Sequence, residues 1–154
     1  MPSSAVQPII VRPAEPSDMA AVAVLMEQLG YQTSVDDMEG RYAVIGQHPD
    51  YATLVACSHV GVVGMIGLVR FFPFEANGCY VRIGAMVVST ASRARGIGTK
   101  LMEEAQRWAL QRGATYMSVN SGNRAEREGA HAFYIKMGFD PVSTGFKKQM
   151  PSTD

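Results

Sequence analysis

The stretch MVVSTASRARGIGTKLM, residues 86–102, joins two different periodicities. Met86, Val87 and Val88 end an apolar, strand-like run, and from Leu101 onward the spacing of apolar residues is helical. Between them stand Gly96 and Gly98, where the helix begins. A glycine in a helix interior costs ~1 kcal/mol relative to alanine, so two in one first turn require a reason. The first N–H groups of a helix lack internal acceptors and lie at the positive end of the macrodipole. Glycines permit positive φ and let a bulky anion approach that backbone closely. Arg93, Arg95 and Lys100 add formal positive charge. The combination suits a phosphate or pyrophosphate.

Three phosphate-binding patterns compete for these residues. In the Walker A pattern the second glycine is followed directly by lysine, but here Thr99 separates Gly98 from Lys100 and the earlier glycine is missing. The dinucleotide fingerprint fits Gly96 and Gly98 but meets Leu101 at its third glycine. It also belongs to a parallel βαβ unit. The pattern R-x-x-G-x-G is matched by Arg93, Gly96 and Gly98.

Upstream, YATLVAC, GVVGMIGLVRFF and GCYVRIGAMVV read as three strands with short connections, an antiparallel meander. Before them, QPIIVRP is a short strand stopped by Pro13 and Pro16. Ser17 or Asp18 caps a helix carrying Val22, Leu25, Met26 and Leu29, which Gly30 closes. A weaker helix covers about 35–47. Downstream, the glycine-opened helix places Ile97, Leu101, Ala105 and Trp108 on one apolar stripe, so Trp108 is expected in the core. TYMSV is a further strand, and a helix over 125–137 carries Ala130, Phe133, Tyr134 and Met137 before Gly138. FDPVS and GFKKQM are expected as short final strands.

The 154 residues suit one domain, with about 7–149 structured. Acidic and basic residues balance at 14 each, so nothing in the overall charge calls for nucleic acid or a membrane surface. The longest uncharged apolar run, VGVVGMIGLV, is half the ~20 residues needed to span a bilayer. The N-terminus lacks the pattern of a signal peptide. Cys57 and Cys79 form no C-x-x-C and have no metal-ligand spacing, and read as free thiols in a cytoplasmic protein.

SRARGIGTKLM resembles the pyrophosphate loop of the GNAT-type acyl-CoA N-acyltransferases. REGAHAFYIKMGF, residues 127–139, is similar to that family's second motif, R-x-x-A-H-x-F-Y-x-x-x-G-F. The order of elements from residue 7 to 149 matches as well. The resemblance implies a mixed α/β fold: a central, mostly antiparallel twisted sheet of six to seven strands flanked by about four helices on both faces. It implies acetyl-CoA as cosubstrate and no metal. Coenzyme A would set its pyrophosphate on the backbone of Arg95, Gly96, Ile97, Gly98, Thr99 and Lys100, with Arg93 alongside. The pantetheine arm would pair with Met86, Val87 and Val88, where the strand splays from TYMSV. An amide near Val88 would polarise the thioester carbonyl. Tyr134 would be the general acid toward the departing thiolate.

The chain departs from the family pattern at two places. The strand segment Arg82, Ile83, Gly84, Ala85 lacks the acidic residue that many members carry as a base. Glu75, Glu126, His131 or a water chain are the alternatives. Arg127 stands where many members have an asparagine for the pantetheine; it either touches the cofactor or pairs with Glu103 or Glu104. Asn120 and Asn123 are further polar candidates there, Asn123 also as a helix cap. Phe72 and Phe74 either line an acceptor pocket or pack under their loop. The resemblance implies transfer of acetyl to a primary amine, a small molecule or a peptide, and allows a homodimer. A second class of function fits the same residues: a non-catalytic acyl-CoA-binding sensor or partner-binding module.

Overall fold

The computed structural model describes residues 8–93, 95–120, 128–142 and 145–152. Contacts divide the chain into two units, one ending at Val119 and one beginning at Asn120. The first contains β1 (Ile10–Pro13), α1 (Met19–Leu29), α2 (Val35–Ile45), β2 (Tyr51–Ser58), β3 (Gly61–Phe71), β4 (Cys79–Val88), α3 (Ile97–Gln111) and β5 (Ala114–Val119). The strands lie in the order β1-β2-β3-β4-β5. Neighbours are antiparallel through β4, and β5 runs parallel to β4, as a helical crossover by α3 demands.

Each boundary has a local cause. Pro13 ends β1, and Asp18 secures the turn into α1. Its carboxylate accepts the Glu15 N–H at 2.7 Å and a two-pronged ion pair from Arg12 at 2.8 and 2.9 Å. Ser17 or Asp18 was expected to cap α1; Asp18 stands at the N-cap without a side-chain cap bond, and its carboxylate reaches back instead, because a nearly buried carboxylate needs the guanidinium. Arg12 thereby holds the Asp18 carboxyl below its ordinary range. Gly30 closes α1 at φ 114, and the Ser34 hydroxyl caps α2 by accepting the Asp37 N–H at 3.0 Å. Both cysteines are free thiols, in β2 and β4.

Both sheet faces are covered. Val55, Met65 and Val87 lie abreast on three strands and pack with Met19, Val22 and Leu25 of α1. The opposite face takes α3, whose Ile97, Leu101, Met102 and Ala105 are at most 1% exposed. Trp108, expected in the core, is only half-buried; the Arg112 guanidinium lies 4.4 Å from its ring centroid and covers the outer side.

The second unit contains α4 (Glu128–Lys136). Gly138 ends it at φ 95, with the Phe139 N–H donating to Tyr134 O at 2.9 Å. The two strands expected after it are absent from residues 139–142 and 145–150, so the described sheet has five strands instead of six or seven. Val142, Phe146 and Met150 are 85%, 96% and 68% exposed, so this segment has no buried face to set a strand register. Pro141 and Pro151 also lack ladder donors.

Candidate functional site

The site is built on an interruption of the sheet. The last β4–β5 pair is Ile83 with Val119. β4 then continues for five residues, Gly84 to Val88, whose strand partners among the described residues all lie on β3. Leu68 pairs with Ile83 and Gly67 with Ala85, leaving Gly84 as an extra, bulged residue where β4 leaves β5. The Ser89 N–H donates to Val63 O at 2.7 Å, on the β3 side. Strand alternation then turns the backbone of Val87 toward β3, and the N–H and C=O of Met86 and Val88 toward the open edge. An extended, amide-bearing chain fits such an edge.

The α3 N-terminus stands beside this edge. Gly64 pairs with Val88, and a Cβ placed on it would lie 3.2 Å from Leu101 Cδ1 and 3.3 Å from Ile97 Cγ2. The missing side chain lets the first turn of α3 seat directly on β3. Gly96 is the N-cap at φ 76, ψ 11, and the first helical bond runs from the Lys100 N–H to Gly96 O at 3.1 Å. The N–H groups of Ile97, Gly98 and Thr99 therefore precede any intrahelical acceptor. Gly98 itself is helical, with no positive φ. The loop is tied down by Thr90, whose N–H donates to Gln28 Oε1 of α1 at 2.9 Å.

The end of β4 at Val88 and the start of α3 at Ile97 meet on either side of Gly64, and the other expected residues have distinct placements. The side chain of Val87 belongs to the α1-facing core, and that of Ile97 anchors α3. Arg93 folds back, its Nε 3.4 Å from Val88 O, and Arg95 is exposed. Lys100 directs Nζ to Ile9 O at 3.4 Å, toward the β1 side. Tyr134, in the second unit, is half-buried, with edge-on rings of Phe133 and Phe139 at 5.6 and 5.7 Å. Arg127, Asn123 and Glu126 lie outside the described residues. Phe74 is fully exposed, and Phe72 is 62% exposed with the Arg70 guanidinium over its ring, so neither packs beneath the loop.

Two features escaped sequence reading. A lone glycine in a strand is a bulge signal, and Gly84 is one, but its significance emerges only with the β3 register. The second is a ladder of rings across three strands: Phe71 on Tyr80 at 5.5 Å, and Tyr80 on Tyr116 at 4.7 Å and 6° between planes. Desolvation raises the Tyr116 phenol pKa, with smaller contributions from Tyr80 and Glu75. A cleft of about 340 Å3 lined by Tyr42, Thr53, Trp108 and Arg112 lies at the opposite end of α3 and shares no residue with the glycine loop. Among the described residues no cluster of three or more His, Cys, Asp or Glu could hold a metal, and no helix is long and apolar enough to cross a membrane.

A mixed sheet split between its fourth and fifth strands, with a glycine-opened helix at the split, defines an acyltransferase architecture. The chain belongs to the acetyltransferase (GNAT) family, whose model matches residues 19–139. A protein of Bacillus subtilis (strain 168) described as an uncharacterized N-acetyltransferase, YhdJ, is 26% identical over 125 residues, covering 80% of this chain and 86% of that protein. The structure of a GNAT family acetyltransferase from Staphylococcus aureus subsp. aureus USA300_TCH1516 superposes with a TM-score of 0.78 at 28% identity, over 92% of this chain and 98% of the other. Aminoglycoside N-acetyltransferase AAC(6')-Iy, solved with CoA, shares the fold at a TM-score of 0.83 and 17% identity, over 97% and 99% of the two chains.

Proposed function

We propose that this chain transfers the acetyl group of acetyl-CoA to a primary amine within a ternary complex. The observation that carries the reading is the five-residue overhang of β4 beyond its last β5 pair, with the α3 N-terminus beside it. CoA's pyrophosphate would sit on the free N–H groups of Ile97, Gly98 and Thr99 at the start of α3, with Arg93 and Arg95 supplying charge. Its pantetheine amides would pair with Met86 and Val88. The free amine attacks the thioester carbonyl and forms the C–N bond. The Val88 amide, which alternation turns to the open edge, stabilises the oxyanion. The C–S bond then breaks and the Tyr134 hydroxyl protonates the thiolate.

The amine's proton must also leave. β3, β4 and β5 contain no aspartate or glutamate, so a water chain oriented by backbone carbonyls carries the amine's proton out to bulk solvent. Arg127 would contact the pantetheine, and the site works without a metal. The acceptor is a small-molecule or peptide amine; the aminoglycoside acetyltransferases among the structural relatives favour the small molecule. The two free thiols agree with a cytoplasmic setting. A thiol-release assay over a panel of primary amines tests the reading. Amine-dependent release of CoA supports it, whereas tight CoA binding without turnover of any amine would favour the acyl-CoA sensor that the absent carboxylate also permits.

A further inference from the structure

The face of β3, β4 and β5 that carries the aromatic ladder also carries Arg82. Arg82 pairs across strands with Val69 and Ser118, one residue before β4 parts from β5. Strand alternation places Tyr80 and Gly84 on its own face, and Tyr116 two residues from Ser118 shares that face on β5. A Cβ on Gly84 would approach nothing closer than 3.8 Å. The surface between Arg82 and the open edge is therefore low and unobstructed.

No acidic residue within β3, β4 or β5 balances the charge of Arg82. The only charged residues in these three strands are Arg70 and Arg82. Arg70 is satisfied by Asp50, at 2.9 Å through Nε and 2.7 Å through Nη2. Arg82 is half-buried and has no hydrogen-bond or ion-pair partner among the described residues. Partly burying a guanidinium without an acceptor is unfavourable, and its planar fork matches a carboxylate or phosphate. Beside it, Tyr116 remains 51% exposed although its ring stacks on Tyr80, so one ring face or edge is open to a planar or apolar group.

We infer that the acceptor is a primary amine that also bears a carboxylate, held by Arg82, and an aromatic or apolar body laid against Tyr116. It would be an amino-acid-like molecule and not a polycationic aminoglycoside, which an uncompensated arginine repels. This inference rests on the acetyltransferase reading. Arg82 acts as a specificity-determining residue, with no part in the bond-making step.

The test uses two acceptors differing only in the carboxylate, L-phenylalanine and phenethylamine, with kanamycin as the polycation. Turnover is followed by thiol release. Binding of N-acetyl-L-phenylalanine and N-acetylphenethylamine to the CoA-saturated protein is followed by calorimetry. The intact protein is expected to prefer the carboxylate-bearing member of each pair by about tenfold or more, the value of one charged hydrogen bond. Arg82→Gln should reduce that preference at least fivefold through KM and Kd, and Arg82→Lys should restore part of it. A preference below about fivefold, one unchanged in Arg82→Gln, binding of neither product, or preferred turnover of kanamycin would each overturn the inference. All four leave CoA binding intact. Absence of CoA binding would instead overturn the transferase reading beneath it.

Discussion

Alanine at Gly96 and at Gly98 should act in opposite directions on stability and in the same direction on cofactor binding. Gly96 has φ 76 and ψ 11, and no atom lies within 4 Å of a Cβ built there. Alanine at this position meets no clash and suffers only the left-handed penalty, ~1–2 kcal/mol. In a domain of this size that lowers Tm by roughly 3–8 °C. Gly98 is helical, in the first turn of α3. Alanine there gains up to ~1 kcal/mol of helix propensity and should raise the Tm of the free protein by roughly 2–4 °C. A methyl in this first turn would narrow the approach of the pyrophosphate to the free N–H groups, so Gly98→Ala should weaken CoA binding by about tenfold, or ~1.4 kcal/mol. Thermal unfolding of both variants without ligand, paired with calorimetric titration of CoA, reads both quantities. A Gly98→Ala protein that binds CoA as tightly as the parent would refute the reasoning, because the glycine would then have no ligand to explain it.

Other outcomes follow from the same structure. Tyr134→Phe should lower kcat by about 10²–10⁴ while CoA affinity stays within error; an unchanged kcat assigns the acid to another group. Asp18→Asn should cost about 1.5–3 kcal/mol in urea unfolding at neutral pH, because the pair with Arg12 is charge-assisted on both sides. Since Arg12 depresses the Asp18 pKa, this stabilisation is complete above the ordinary aspartate value of ~3.9 and disappears as pH falls through the lower folded-state value. The stability difference between parent and Asp18→Asn should therefore shrink only in strong acid; a difference that shrinks near neutrality contradicts the assignment. Gly64→Ala would put a Cβ 3.2 Å from Leu101 Cδ1 and from Val87 O, and should cost about 1–3 kcal/mol by overpacking. It should also weaken CoA binding by displacing the start of α3, whereas a fully stable, fully binding variant would show that the contact is slack.

The meander and α3 were legible because their signals are local. Val22, Leu25, Met26 and Leu29 specify α1 by spacing alone, and Gly96 and Gly98 mark the α3 N-terminus whatever else the chain does. The opening between β4 and β5 was legible only through resemblance to a family. It depends on where the parallel pairing stops, at Ile83 and Val119, and no local pattern records that register. The same reason hid the Phe71–Tyr80–Tyr116 ladder, whose rings are far apart in sequence and meet only through strand pairing. The position of Trp108 on an apolar stripe could not reveal that Arg112 would cover it one turn later. The final strands were misread from composition: FDPVS and GFKKQM contain strand-forming residues, but they bury no face among the described residues.

Thermal unfolding in the presence of acetyl-CoA, CoA, ATP or NADH, each in large excess, tests the central claim most directly. A ligand at 100 times its Kd adds ~2.7 kcal/mol, which raises Tm by roughly 5–10 °C in a domain of this size. Stabilisation by acetyl-CoA and CoA, with ATP and NADH lacking effect, is the predicted result. No shift with either CoA species, or an equal shift with ATP or NADH, would contradict the assignment of the Gly96–Lys100 backbone to coenzyme A.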